Sequence, residues 1–299
     1  MGRFPRIVRW IVVLAAVIGV GIWRATVRHT TGSESGRTLV SQPDRDSSPS
    51  RPWRIATWNI HGGKGMDRRL DLGRTADGLR DYDFVGLNEV RGPASPWDFD
   101  QTKILGGRLH SGWLFLPYER RFCRDDFGNG VVGNTAVTNW IRIPLPNTCV
   151  KGHGNVTLLS TRHFSQDVHV LVTHIDHKTD RVLQLAAVGE IFDSLAPPAI
   201  LMGDLNTRAD DPTLARILGQ PGVVEPLAAL GKQQPDAQID WILVKGLTCL
   251  DAGFEDTGAS DHPLIWAELT LRKEPAATPA TLTSVIQAAT MPDHKPSRR

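Results

Sequence analysis

Six short stretches of this sequence end or open an apolar run on polar side chains that could act together. They are Thr57-Trp58-Asn59-Ile60, Leu87-Asn88-Glu89-Val90, Thr173-His174-Ile175-Asp176, Gly203-Asp204-Leu205-Asn206, Ile239-Asp240-Trp241-Ile242 and Ser260-Asp261-His262. Taken singly, each has a plain reading, because an Asn or Asp after a strand commonly forms a turn. Asp204 and Asn206 directly after Ala199-Ile200-Leu201-Met202 are harder to read that way, and so is Glu89 directly after an apolar run. Their combined chemistry is coherent. A hard divalent cation takes oxygen ligands, and Asn59, Glu89 and Asp261 offer them. Asp204 is suited to position or deprotonate an attacking water, and Asn206 to hydrogen-bond the oxygens of a transition state. His262 can bind or protonate a phosphoryl oxygen, while Asp240 fixes its tautomer and favours the imidazolium. His174 supplies a second donor. The set is equipped for metal-assisted hydrolysis of a phosphoester.

Competing chemistries are less well served. His61-Gly62-Gly63-Lys64-Gly65 is glycine-rich but lacks the Gly-Lys-Ser/Thr of a nucleotide phosphate loop. The sequence holds no Gly-x-Ser-x-Gly elbow and no His-Glu-x-x-His zinc motif. His174-Ile175-Asp176-His177 is an alternative transition-metal cluster.

The elements that must position these residues are legible as alternating strands and helices. Strands are expected at 54–60, 84–87, 134–139, 156–160, 167–173, 199–202, 240–244 and 264–269. Leu72, Ala76 and Leu79 mark one amphipathic helix, and Leu185, Val188, Phe192 and Leu195 a second. A third opens on Asp211 as N-cap with Pro212 at its first position and closes at Gly219. Such a mixture is a mixed α/β domain. The loops at 91–130 and 222–237 are where specificity is expected.

The 299-residue chain divides by composition. Residues 53–271 carry 21 Lys+Arg against 27 Asp+Glu, whereas residues 1–52 carry 8 against 3 and residues 272–299 carry 5 against 2. An acidic body with basic ends does not suit grip on duplex nucleic acid through its phosphates. Trp10 to Trp23 is an uncharged apolar run with Arg3, Arg6 and Arg9 before it and Arg24 and Arg28 after it. Its fourteen residues would reach about 21 Å as a helix, against about 30 Å of bilayer hydrocarbon. Residues 1–29 are therefore expected to be a single-pass membrane anchor holding the body outside the cytoplasm, or a cleaved signal of a secreted protein. Residues 30–52 have the composition of a disordered linker and residues 272–299 that of a disordered tail. Of the three Cys, Cys123 and Cys149 could pair in an oxidising compartment. Oligomeric state leaves no mark in the sequence.

The six stretches, in this order over residues 53–271, resemble the endonuclease/exonuclease/phosphatase superfamily, which includes pancreatic-type deoxyribonuclease, sphingomyelinase and inositol polyphosphate phosphatase. Gly133-Asn134-Thr135-Ala136 is similar to the Gly-Asn-Ala that precedes a strand in bacterial members. The resemblance implies a four-layer α/β/β/α sandwich of two mixed sheets and dependence on Mg²⁺ or Mn²⁺. It implies metal ligation by Asn59, Glu89 and Asp261, with His174, Asp204, Asn206, Asp240 and His262 as the catalytic set. Position 88 is Asn where the family more often has Gln, and neither Tyr82 nor Tyr118 clearly matches the active-site Tyr of the abasic-site endonucleases. The leading expectation is a membrane-anchored phosphodiesterase or phosphatase acting on a lipid or small phosphoester. The alternatives are a secreted or anchored nuclease and a non-catalytic binding module at a membrane surface.

Overall fold

The computed structural model describes residues 6–25, 27–29, 34–36, 51–93, 99–121, 126–148, 154–163 and 166–272. The first half of the chain holds helix α1 (Arg6–Ala25), strands β1 (Val27–His29), β2 (Glu34–Gly36) and β3 (Trp53–Asn59), helix α2 (Leu72–Gly78), strand β4 (Phe84–Arg91) and helix α3 (Gln101–Leu109). Strands β5 (Gly112–Arg121), β6 (Phe127–Gly133), β7 (Val137–Pro144), β8 (Asn155–His163) and β9 (Gln166–His174) follow. Then come α4 (Arg181–Ser194), β10 (Ala199–Asp204), α5 (Pro212–Leu218), β11 (Val223–Val224), α6 (Pro226–Ala229), β12 (Asp240–Lys245), β13 (Leu247–Glu255) and β14 (Leu264–Leu271).

The strands form two mixed sheets, ordered β1-β5-β6-β4-β3-β14-β13 and β11-β12-β10-β9-β8-β7-β2. Side chains alternate across a strand, and here each inner strand feeds two cores. In β10, Ile200 and Met202 join the core between the sheets, while Leu201 packs under α4 and α5 with Leu185, Phe192 and Leu214. In β3, Trp53 and Ile55 enter the inter-sheet core, while Trp58 meets Leu72, Ala76 and Leu105 of α2 and α3 on the other side. Strands buried on both faces read as continuous apolar runs, and the layering is the α/β/β/α sandwich that the family resemblance implies.

Two sequence readings meet a different outcome. Residues 112–121 and 127–133, which the presumed specificity loop at 91–130 largely covers, are a strand pair built into the first sheet. Glu34–Gly36, inside the presumed linker, pairs with β7 at the edge of the second sheet. The Arg6–Ala25 segment is helical and leaves Ile7, Trp10, Ile11, Leu14 and Val17 exposed. Among the described residues no helix is long and apolar enough to cross a membrane. The Cys123–Cys149 pair lies outside the described residues.

Candidate active site

All eight predicted site residues stand at one end of the two sheets, shared between them. Asn59 closes β3 and Glu89 lies in β4, while Asp261 and His262 precede β14; these belong to the first sheet. His174 closes β9, Asp204 closes β10 and Asp240 opens β12, in the second. Parallel pairing of β9 with β10 sets His174 beside Asp204, and antiparallel pairing of β10 with β12 sets Asp204 opposite Asp240.

Local backbone aims these side chains. The ladder between β4 and β6 shifts register between Leu87 and Val90, and Glu89 sits in that irregularity at φ 56°. A bulge of this kind redirects side chains at the end of a sheet. Gly203 has φ 139°, and a Cβ there would lie 1.9 Å from the Thr173 carbonyl oxygen. Only glycine lets β10 approach β9 so closely just before Asp204. Asn206 takes the left-handed conformation at φ 45°, which Asn tolerates. Its N–H donates to Asp204 Oδ1 at 2.8 Å, an Asx turn.

The side chains then interlock. Asn59 Nδ2 donates to Glu89 Oε1 at 3.2 Å and to Asp204 Oδ2 at 3.0 Å, bridging an acid from each sheet. Asn59 Oδ1 accepts from the His61 N–H at 3.1 Å. Asn206 Nδ2 lies 3.2 Å from His174 Nε2, which is 3.5 Å from Asp204 Oδ2. His262 Nδ1 is 2.7 Å from Asp240 Oδ2, and Trp58 Nε1 donates to the His262 carbonyl at 2.9 Å. Ser260 Oγ donates to the Asn59 carbonyl at 2.6 Å, tying the Asp261-His262 turn to β3. Asp261 stands at the rim, 3.3 Å from His61 Nδ1, with its side chain 46% exposed.

Electrostatics separate the roles. Burial pushes the Asp240 carboxyl up to about 6, with the charge of Asp204 acting in the same direction and the His262 hydrogen bond opposing both. Burial alone would discharge His262. Its hydrogen bond to Asp240 and the charges of Asp240, Asp204 and Asp261 outweigh that and push it up to about 9. At neutral pH the two form a buried ion pair, with Nδ1–H donated to Asp240 and Nε2 left for a phosphoryl oxygen.

Asp204, Asp240 and His262 each bring one ligand atom within 4.8 Å of the others. A cation there would meet the charged His262. Glu89 is better placed to receive one, because its sole hydrogen-bond partner among the described residues is Asn59. Asn59 and Asp261 would add further oxygens suited to a hard divalent cation, Asn59 by turning its amide, whose Nδ2 faces Glu89 while Oδ1 accepts from the His61 N–H. Among the described residues the His174-Asp176-His177 alternative does not come together as a metal-ligand group, although His177 Nδ1 lies 3.7 Å from Asp176 Oδ1.

The sequence assigns no role to His61, Tyr118, Asn129 or Asn155, and marks Asn88 only as a departure from the family's more frequent Gln. The signal available was the occurrence of Asn inside strands, where it is depleted.

Solved structures of similar fold include an endonuclease/exonuclease/phosphatase protein of Beutenbergia cavernae, at 22% identity and TM-score 0.61 over 77% of this chain and 74% of that one. D. rerio TDP2 complexed with single-strand DNA product matches at 20% identity and TM-score 0.55, over 73% of this chain and 99% of that one. The human nocturnin catalytic domain with a bound sulfate anion matches at 17% identity and TM-score 0.57, over 82% and 99%. No curated protein sequence matches significantly. The model of the endonuclease/exonuclease/phosphatase family matches residues 56–262, from the strand that carries Asn59 to His262 itself, and the chain belongs to that family.

Proposed function

We propose that the protein is a divalent-metal-dependent hydrolase of phosphoester bonds. The observation that carries the reading is the buried Asp240–His262 ion pair set beside Asp204 and His174, with Asn59 Nδ2 of the first sheet donating to Asp204 Oδ2 and Glu89 Oε1. A bound Mg²⁺ or Mn²⁺ would neutralise phosphate charge and the charge growing on the leaving group. Asn59, Glu89 and Asp261 would hold it. Asp204, fixed on two sides by Asn59 and the Asn206 N–H, orients the attacking water and takes its proton. His174 and the charged His262 hydrogen-bond the phosphoryl oxygens as charge builds on them, and Asn206, whose Nδ2 donates to the Ile175 carbonyl and faces His174 Nε2, joins them by turning one N–H to the phosphate.

We also propose a lipid or small phosphoester as substrate, with the protein attached to a membrane through α1. The acidic body supports this substrate class over duplex nucleic acid, and the uncharged run Trp10–Trp23 with arginines on both sides supports the attachment. The alternative substrate is nucleic acid.

Asp204→Asn and wild type should be assayed on a bis-aryl phosphodiester, then on plasmid DNA, RNA, sphingomyelin, a phosphoinositide and inositol phosphates. Each assay is run with Mg²⁺, Mn²⁺ or chelator. The expected result is metal-dependent wild-type hydrolysis lost in the variant. Equal rates in both proteins, or none across the panel, would overturn the catalytic reading. Cleavage of DNA or RNA alone would replace the lipid reading. Membrane attachment is read by fractionating full-length protein against protein lacking residues 1–29; equal solubility would refute it.

A further inference from the structure

Behind the site, four hydrogen bonds run in one direction through three asparagine side chains. The Asp204 N–H donates to Asn88 Oδ1 at 2.9 Å, and Asn88 Nδ2 to Asn129 Oδ1 at 2.8 Å. Asn129 Nδ2 donates to Asn155 Oδ1 at 2.9 Å, and Asn155 Nδ2 to the Pro117 carbonyl at 3.3 Å. All three Asn side chains are buried, and they cross from β4 and β6 of the first sheet to β8 of the second. The direction of the chain is not arbitrary. A backbone N–H can only donate and a backbone carbonyl can only accept, so the two ends fix the orientation of every amide between them.

The chain's ends lie on catalytic elements. One end is the amide of Asp204 itself. Asn88 Nδ2 also donates to the Thr173 carbonyl at 2.9 Å, one residue before His174. The other end is Pro117, whose carbonyl also accepts from buried Arg142 at 2.8 Å. The next residue is Tyr118, whose ring meets the His174 ring edge-on with centroids 6.2 Å apart. Apolar residues would fill the space between two sheets with no polar group to satisfy. Three matched amides here add what apolar side chains cannot, a fixed relative position for the Asp204 turn and the His174–Tyr118 contact.

We infer that Asn88, Asn129 and Asn155 form a positioning relay that locks the Asp204 turn of one sheet to the bulge of the other and to the Tyr118 strand. Asn88 is the positioning residue, and Asn129 and Asn155 act through it. The inference adds to the proposed hydrolase reading and uses its reaction as one readout.

The test compares Asn88→Ala, Asn129→Ala, their double variant and Val131→Ala. Val131 is buried in the inter-sheet core on the same strand as Asn129 and outside the site, so it controls for lost stability. Asn129→Ser is the milder substitute should Asn129→Ala fold poorly. On a bis-aryl phosphodiester, Asn88→Ala should lower kcat by about 10- to 100-fold, the scale of a misplaced catalytic group. KM should stay within about twofold, since ground-state binding is untouched. Asn129→Ala should fall in the same direction, and the double variant should be no worse than Asn88→Ala, because groups acting in series are not additive. Val131→Ala should keep its kcat. Losses that multiply, or an Asn88→Ala variant that behaves like Val131→Ala, would overturn the relay. If wild type hydrolyses nothing, the hydrolase reading fails and amide hydrogen exchange decides the relay alone. The Asp204 N–H should then exchange at least about tenfold faster in both Asn variants than in Val131→Ala. Equal protection in all of them would refute it.

Discussion

Replacing Asp240 by Asn removes one charge from the site with little change of shape. In the wild type, His262 stays protonated up to about 9 against an ordinary value of 6.5. At 1.36 kcal/mol for each tenfold change in proton affinity, the surroundings favour its charged form by about 3 kcal/mol. Most of that favour comes from Asp240 at 2.7 Å, because Asp204 is 4.0 Å away and Asp261 lies at the exposed rim. In Asp240→Asn the burial that opposes the charge remains and its main counterweight is gone. His262 should then titrate at or below about 6.5. At about pH 8 the ring would be neutral and kcat should fall by about 10²–10³-fold, with the deficit shrinking towards about pH 6 as solvent supplies the proton. Stability carries a second signature. A histidine whose folded pKa is raised stabilises the fold fully below about 6.5, and that contribution is lost as the pH rises through about 9. Wild-type unfolding free energy should decline across this window by at most about 3 kcal/mol, and the variant should lack that decline. Histidine ring NMR titration, a pH–rate profile and urea unfolding at several pH values read all three. A variant whose His262 still titrates near 9, or which keeps the wild-type rate at about pH 8, would refute the assigned role of Asp240.

Three further outcomes are expected. Glu89→Gln should weaken Mn²⁺ binding at least about tenfold by calorimetry while leaving the fold intact, since a neutral amide replaces the carboxylate of the donor set; unchanged affinity would place the cation elsewhere. Gly203→Ala should cost about 3 kcal/mol or more in urea unfolding, or give insoluble protein, because the new Cβ meets the Thr173 carbonyl at a φ that alanine avoids. A stable, active variant would refute that account. Lys245 Nζ donates to the carbonyls of Phe192, Asp193 and Leu195 at 2.6, 3.2 and 2.9 Å, closing the C-terminal end of α4. Lys245→Met should therefore lower stability by about 2 kcal/mol, through lost charge-assisted hydrogen bonds and carbonyls left without a donor; a change below about 0.5 kcal/mol would show the cap to be dispensable.

Residues at the ends of strongly apolar strands were readable because burial on both faces leaves few ways to misplace them. Asp204 after Ala199–Met202 and Asp240 before Ile242–Val244 occupy the positions their sequence context implies, and the two become register partners when β10 and β12 pair. The Asp211-Pro212…Gly219 helix matched its caps because capping is local chemistry, with Asp211 accepting from the Thr213 and Leu214 N–H groups. Strands β5 and β6 were not readable for the opposite reason. Pro117, Gly128, Gly130 and Gly133 interrupt any β pattern, and the three glycines are explained only by what packs against them in the fold. At Gly128 a Cβ would lie 2.2 Å from the Leu116 carbonyl oxygen, so the turn signal in the sequence is a close backbone approach in the fold.

The same distinction separates the visible part of the site from its support. Asn59, Glu89, Asp204 and His262 are recognisable because their side-chain chemistry is sufficient reason for their presence. Asn88 and Asn129 have no such chemistry of their own. Each is meaningful only when the other lies 2.8 Å away, across 41 residues of sequence. A buried amide that looks misplaced in an apolar strand is costly unless matched, so its partner is what the sequence conceals. The sharpest consequence concerns Asn155, which no chemical motif marks and which is far in sequence from Asp204. If the relay acts as one unit, Asn155→Ala should lower kcat in the manner of Asn129→Ala while leaving Mn²⁺ affinity unchanged. Loss of metal binding in step with activity would instead make Asn155 a general support of the sheet.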